Sequence, residues 1–179
     1  MMSKSIDIHF ASRFEKSTNK LWGAHVEVPA AVVKKLTQPS SRRVVCNLNN
    51  AIEYQCALLP FGDGKFVISV NKSFRDKLGL KFGDRVLISL RKDESEYGLP
   101  MPEELKELLM QDKDGGKRFH ALTPGKQRTL LYIIGKGKDS DLRIARSLII
   151  VNHLKSNGGK INYKKLSEAL KPRKIDRLG

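Results

Sequence analysis

A segment of 24 residues recurs at a shift of 42 positions, and nothing else in the chain restricts its fold as much. HVEVPAAVVKKLTQPSSRRVVCNL, residues 25–48, lies over VISVNKSFRDKLGLKFGDRVLISL, residues 67–90, without a gap. Val28 meets Val70, Lys35 meets Lys77, Leu36 meets Leu78, Arg43 meets Arg85, Val44 meets Val86 and Leu48 meets Leu90. Val26/Ile68, Val32/Phe74 and Val45/Leu87 are conservative exchanges. The matches follow one order: strand, short helical turn, polar stretch, strand. A single unit of this kind has too little apolar surface to enclose a core, so the two copies are expected to pack on each other.

The flanking pattern extends the strand reading. Ile6, Ile8 and Phe10 alternate with polar residues, as in a half-buried strand. Asn49-Asn50 separates the run 43–48 from the strand Ile52–Leu58 and suits the two positive-φ positions of a tight hairpin. Gly62-Asp63-Gly64-Lys65 supplies another turn before Phe66–Val70. In the second copy Leu78-Gly79-Leu80 and Gly83-Asp84 are placed to end a short helix and to turn into the last strand.

That second copy resembles the strand–helix–strand unit of the AbrB-like swapped-hairpin barrels, in which two chains each give one unit. The first copy keeps the proline of the pattern, Pro29, without its glycines. The resemblance implies a duplicated, pseudo-dimeric double-split β-barrel built by one chain. The span 6–95, with Trp22 and Gly62-Asp63-Gly64, also resembles a bacterial and archaeal domain of unknown function with that split-barrel fold.

The texture changes after Asp93-Glu94-Ser95-Glu96. Leu99-Pro100-Met101-Pro102 reads as a linker, because two prolines break both ladders and helices. A helix is expected over Glu103–Met110, with Leu105, Leu108 and Leu109 on one face. Thr123-Pro124 opens a second, which runs to the glycines at 135 and 137. A third covers Asp139–Asn157 with Leu142, Ala145, Leu148, Ile149 and Leu154 inward, and Asn162 caps a fourth that uses Leu166 and Leu170. The run from Phe119 through Thr123-Pro124 to Arg143-Ile144-Ala145-Arg146 resembles the YdeI/OmpD-associated, bacteriocin-protection-type helical domain over roughly residues 100–156. Its motifs are F-x-x-L-x-P followed by a helix, a Lys-rich turn and R-x-x-R.

Composition bears mainly on partners. With 34 Lys+Arg against 19 Asp+Glu the formal charge is +15, in the range of proteins that meet nucleic acid. No apolar run approaches the roughly 20 residues of a membrane span, and no apolar stretch of signal-peptide length follows the N-terminal lysine. A cytoplasmic bacterial protein is the expectation. Cys46 and Cys56 form no CxxC pair and lie in apolar strands, where thiols are inert. His9, His25, His120 and His153 lack zinc spacing, and Gly62-Asp63-Gly64-Lys65 joins two strands and lacks GxxxxGK[ST]. Neither a nucleophile elbow nor a carboxylate pair can be read, so no catalytic residue, cofactor or metal is assigned.

The basic residues are the better candidates. In AbrB-like proteins cations after the strand and along the short helix touch phosphates, and the matching positions are Lys34 and Lys35, then Lys72, Arg75 and Lys77; Asp76 departs from that pattern. A second set is helical: Lys126, Arg128, Lys136 and Lys138, with Arg143 and Arg146 one turn apart, and Gln127 and Tyr132 nearby. The expected architecture is α+β: a duplicated split barrel over 5–97, a helical domain over 98–158, and a basic extension over 159–179 that carries seven Lys/Arg. A monomer is plausible, the barrel being complete in one chain. The functions weighed are a non-enzymatic binder of nucleic acid or another polyanion, a stress- or bacteriocin-tolerance factor acting through a protein partner, and a small-molecule enzyme with a pocket between the domains.

Overall fold

The computed structural model describes residues 6–18, 23–38 and 41–172. Trp22 and the last seven residues of the basic extension lie outside the described residues. The chain divides into two compact units, Met1–Gly98 and Leu99–Gly179.

The N-terminal unit is a curled antiparallel sheet of seven strands with two short helices. Its strands are β1 (Ile8–Lys16), β2 (Ala24–Val28), β3 (Arg43–Leu48), β4 (Ile52–Ala57), β5 (Leu59–Pro60), β6 (Phe66–Ser69) and β7 (Arg85–Lys92). They hydrogen-bond in the order β4-β3-β7-β1-β2-β6-β5. Helix α1 (Ala30–Leu36) joins β2 to β3, and α2 (Lys72–Leu78) joins β6 to β7. β1 serves two ladders: Ile8–Arg13 pair with β7, and Phe14–Lys16 pair with β2. β4 and β5 stand at opposite ends of the strand order although only Leu58 separates them. A chain that reaches both ends of the order across one residue requires the sheet to curl, and Leu58 is buried where it does so.

The two stretches related by the shift of 42 meet in this one sheet. Val26 lies opposite Ile68 and Asn47 opposite Ser89, each facing the residue 42 places on. Neighbouring pairs exchange under the same shift: His25↔Ser69 with Glu27↔Val67, and Cys46↔Leu90 with Leu48↔Ile88. Burial follows, since Val26, Ile68, Val44, Val86, Leu48 and Leu90 are all fully enclosed in one core around Phe14. Alternation along β3 and β7 therefore puts every second residue inside.

The expected turns form. Asn49 and Asn50 take φ of 51° and 52° in a turn closed by the Ala51 N–H donating to the Leu48 carbonyl, although the register pairs Leu48 with Ile52, so the loop has three residues rather than the two expected. α2 is capped at both ends: the Asn71 side chain accepts the Phe74 N–H, and Gly79 closes the helix at φ 63°.

The C-terminal unit is helical: α3 (Glu103–Gln111), α4 (Lys113–His120), α5 (Pro124–Gly135), α6 (Ser140–Ser156) and α7 (Tyr163–Ala169). Asp139 caps α6 and Asn162 caps α7, each through its side chain. α6 packs on all four other helices, and the core gathers Leu105, Phe119, Leu130, Ile134, Ile150 and Leu154.

Two expectations for this unit are corrected. No element was expected between Met110 and Thr123, yet α4 lies there, capped by Asp112, whose carboxylate accepts the Gly115 N–H. Its Gly115-Gly116 pair lowers helix propensity, but it lets α4 approach α3 so closely that a Cβ on Gly116 would sit 2.7 Å from the Leu109 carbonyl oxygen. The inward face of α6 also differs: Leu142 and Leu148 are exposed, and Ser147, Ile150, Val151 and Leu154 are buried. α6 is apolar on more than one side, so periodicity admitted two faces. The buried one carries polar Ser147 and His153, which are satisfied locally: Ser147 Oγ donates to the Arg143 carbonyl, and His153 Nε2 accepts the Asn162 N–H.

Candidate functional site

The basic residues of the N-terminal unit sit on its two short helices. Lys34 and Lys35 close α1, and Lys72 and Lys77 lie at either end of α2. All four are exposed, and none is ion-paired with an acidic side chain among the described residues. Arg75 is different. Its Nε lies 3.7 Å from Asp76, and its guanidinium stands 5.7 Å from the Phe82 ring centroid, while Phe82 stacks on the buried Phe14. Asp76, where the sequence departs from the AbrB-like pattern it resembles, thus lies against one of the candidate cations.

In the C-terminal unit the candidates separate. Arg143 is bound by its own fold: Nε donates to Glu104 Oε1 at 2.9 Å, and another guanidinium nitrogen donates to the Gly137 carbonyl. Ser140 Oγ donates to the same Glu104 oxygen, and the Arg143 bond, Glu104's own backbone N–H and Ser140 together hold that carboxyl down to about 2. Arg146 donates to the Ile133 carbonyl at 2.7 Å, a cation at the negative end of α5. Gln127 is buried and its amide donates to Phe119 O. Lys126 and Lys138 are exposed, and Arg128 is half-buried. Of the set read from sequence, the structure brings only Lys136 and Arg143 to one place, beside Tyr132 and Glu104. From the sequence Tyr132 is expected near these cations, whereas Glu104 reads only as an acid in the first turn of α3 placed there by the helix dipole.

The nucleophile candidates are quiet. Cys56 and Cys46 lie on adjacent strands, and their hydrogen bond together with burial pushes the Cys56 thiol far up. His25 is enclosed against Phe61, with Glu15 3.6 Å away. Burial lowers its pKa below 6.5, although Glu15 and Glu27 pull the other way. Among the described residues no group of three His, Cys, Asp or Glu side chains is placed to share a metal, and no helix is long and apolar enough to cross a membrane.

These features define an α+β protein with a curled antiparallel sheet carrying basic short helices, followed by a helical unit tied internally by paired arginines. Residues 10–90 match the family described as a domain of unknown function (DUF1905), and residues 99–157 match the family described as Bacteriocin-protection, YdeI or OmpD-Associated. The second match bears out the resemblance read from Phe119 to Arg146, and the boundary between the two falls where the chain divides. No curated protein matches the chain.

Proposed function

We propose that this chain is a non-enzymatic binding protein of the bacterial cytoplasm that holds nucleic acid on the basic residues of its N-terminal unit. One observation carries the reading: Lys34, Lys35, Lys72 and Lys77 are exposed and unneutralised on two short helices that occupy equivalent places in the repeat. Lys35 and Lys77 are matched across the shift of 42, free cations that recur suit a partner whose charges also repeat, and each phosphate contact releases condensed counterions. The net charge of +15 adds a favourable field. The reading takes the N-terminal unit as a duplicated, pseudo-dimeric double-split barrel of the AbrB-like kind. Its support is the pairing of Val26 with Ile68 and Asn47 with Ser89, and the service of β1 and of the β4–β5 segment to both ladders.

The test is anisotropy titration of labelled duplex DNA, single-stranded DNA and RNA at several salt concentrations. For about four neutralised phosphates, log K is expected to fall with log salt at a slope of about −3 to −4. The double variant Lys35→Glu/Lys77→Glu is expected to weaken binding by at least about tenfold and to flatten that slope. Absence of affinity for all three polymers at ~50 mM salt sinks the proposal.

A second reading, a stress- or bacteriocin-tolerance factor working through a protein partner, has its own support. Ile144 and Leu148 stand one turn apart on α6, each 44% exposed, and the family matched by this unit carries bacteriocin protection in its description. Co-purification that retains a stable partner with the parent chain and loses it with Ile144→Asp/Leu148→Asp would favour this reading over the first.

A further inference from the structure

The C-terminal unit contains an open cavity of about 530 Å³, within the roughly 300–1,000 Å³ of small-molecule sites. Its walls are the irregular segment 99–102, the first turn of α3, one side of the last turns of α5, and Arg143 of α6. Leu99, Met101, Pro102, Leu131 and the Tyr132 ring make them largely apolar.

Four charged side chains reach this lining, and they are not equivalent. Glu104 and Arg143 neutralise each other at 2.8 Å. Glu103 is 85% exposed and lies 4.0 Å from the likewise exposed Lys106 outside the lining, so its charge is screened mainly by water. Lys136 has no acidic partner among the described residues, and its ammonium is held 4.4 Å from the centroid of the Tyr132 ring. That contact positions the cation without discharging it. The result is an apolar chamber bearing one uncompensated, oriented positive charge.

We infer that this cavity binds a small organic carboxylate, its apolar body against Leu131, Met101 and Pro102 and its anionic group on Lys136. A cationic ligand finds no enclosed counter-charge here, because Glu104 already accepts from Ser140 and Arg143 and Glu103 is 85% exposed to water. A neutral apolar ligand would cover the Lys136 ammonium and strip its water without replacing it, which is unfavourable. A polyanion needs several free cations, and the lining offers one.

The test uses the full chain and calorimetric titration with naphthoate, decanoate and the corresponding alcohols, naphthylmethanol and decanol. At least one acid is expected to bind about tenfold or more tighter than its alcohol, the discrimination that a charge-assisted hydrogen bond supplies. A preference for naphthoate assigns a flat aromatic body, and a preference for decanoate an acyl chain. Lys136→Met is expected to abolish the preference for acid over alcohol. Gly135 lines the cavity, and a Cβ there meets no atom within 4 Å, so Gly135→Leu is expected to fill the space and weaken every ligand while melting no lower than the parent. Three results would overturn the inference: no heat with either acid at millimolar concentration, an acid preference that survives Lys136→Met, or undiminished binding by folded Gly135→Leu.

Discussion

His153 sits near the end of α6 with its ring buried, and its Nε2 accepts the backbone N–H of Asn162 at 3.0 Å. Asn162 in turn caps α7 through its side chain, so one neutral imidazole fixes the entry of the last helix. Burial lowers the His153 pKa below 6.5, and nearby Lys165 pushes the same way. The folded state therefore resists the proton that the unfolded chain accepts. The contribution of His153 is complete above its unfolded value of about 6.5 and declines as pH falls below it, because a protonated Nε2 can no longer accept. Amide exchange is expected to show the Asn162 N–H fully protected at about pH 7.5 and less protected at about pH 5.5, the loss setting in only below about 6.5. His153→Gln, which keeps an acceptor and cannot titrate, is expected to flatten that dependence. An Asn162 amide equally protected at both pH values would remove this role. Arg143 and Arg146 illustrate a related point: their spacing was legible in the sequence, while their partners, a carboxylate and a carbonyl on other helices, were not.

Among the elements, α4 is where propensity and packing disagree most. Its two glycines argue against a helix, and tertiary contact requires them: a Cβ on Gly115 would collide with Val151, and one on Gly116 with the backbone of α3. Gly116→Ala gains helix propensity and is nevertheless expected to destabilise the protein by about 1–3 kcal/mol, read from urea melts, because the obstructing Leu109 carbonyl belongs to a helix and cannot swing aside. A neutral or stabilising result would show that α3 and α4 can separate at little cost. Elements governed by local rules were readable in advance. The Asn49-Asn50 hairpin, the Gly79 helix end, the Pro124 start of α5 and the Asp139 and Asn162 caps all lie where the residues put them. What escaped depends on neighbours distant in sequence. The buried face of α6 was chosen by four surrounding helices, and its own apolar pattern allowed more than one answer. The cavity escaped for the same reason: Leu99-Pro100-Met101-Pro102 reads as a linker until α5 is seen beside it.

At the scale of the whole molecule, the shift of 42 was the most informative feature of the sequence, since it implied that residues 26–48 and 68–90 would share one core. The proposed duplication makes a quantitative claim. Leu48 and Leu90 are matched residues, both fully buried, so Leu48→Ala and Leu90→Ala are expected to cost about 2–5 kcal/mol each and to agree within about 1 kcal/mol. Denaturant melts measure both, and a disparity approaching the full range would mean that the two environments have diverged.

The division of β1 between two ladders also bears on the order of events during synthesis. β1 ends at Lys16, and β7, which takes up most of its backbone groups, begins only at Arg85. Closing that separation is entropically slow. A nascent chain halted on the ribosome before Arg85 emerges is therefore expected to display Ile8–Arg13 as an unmated edge, open to chaperones and to proteases until translation delivers its mate.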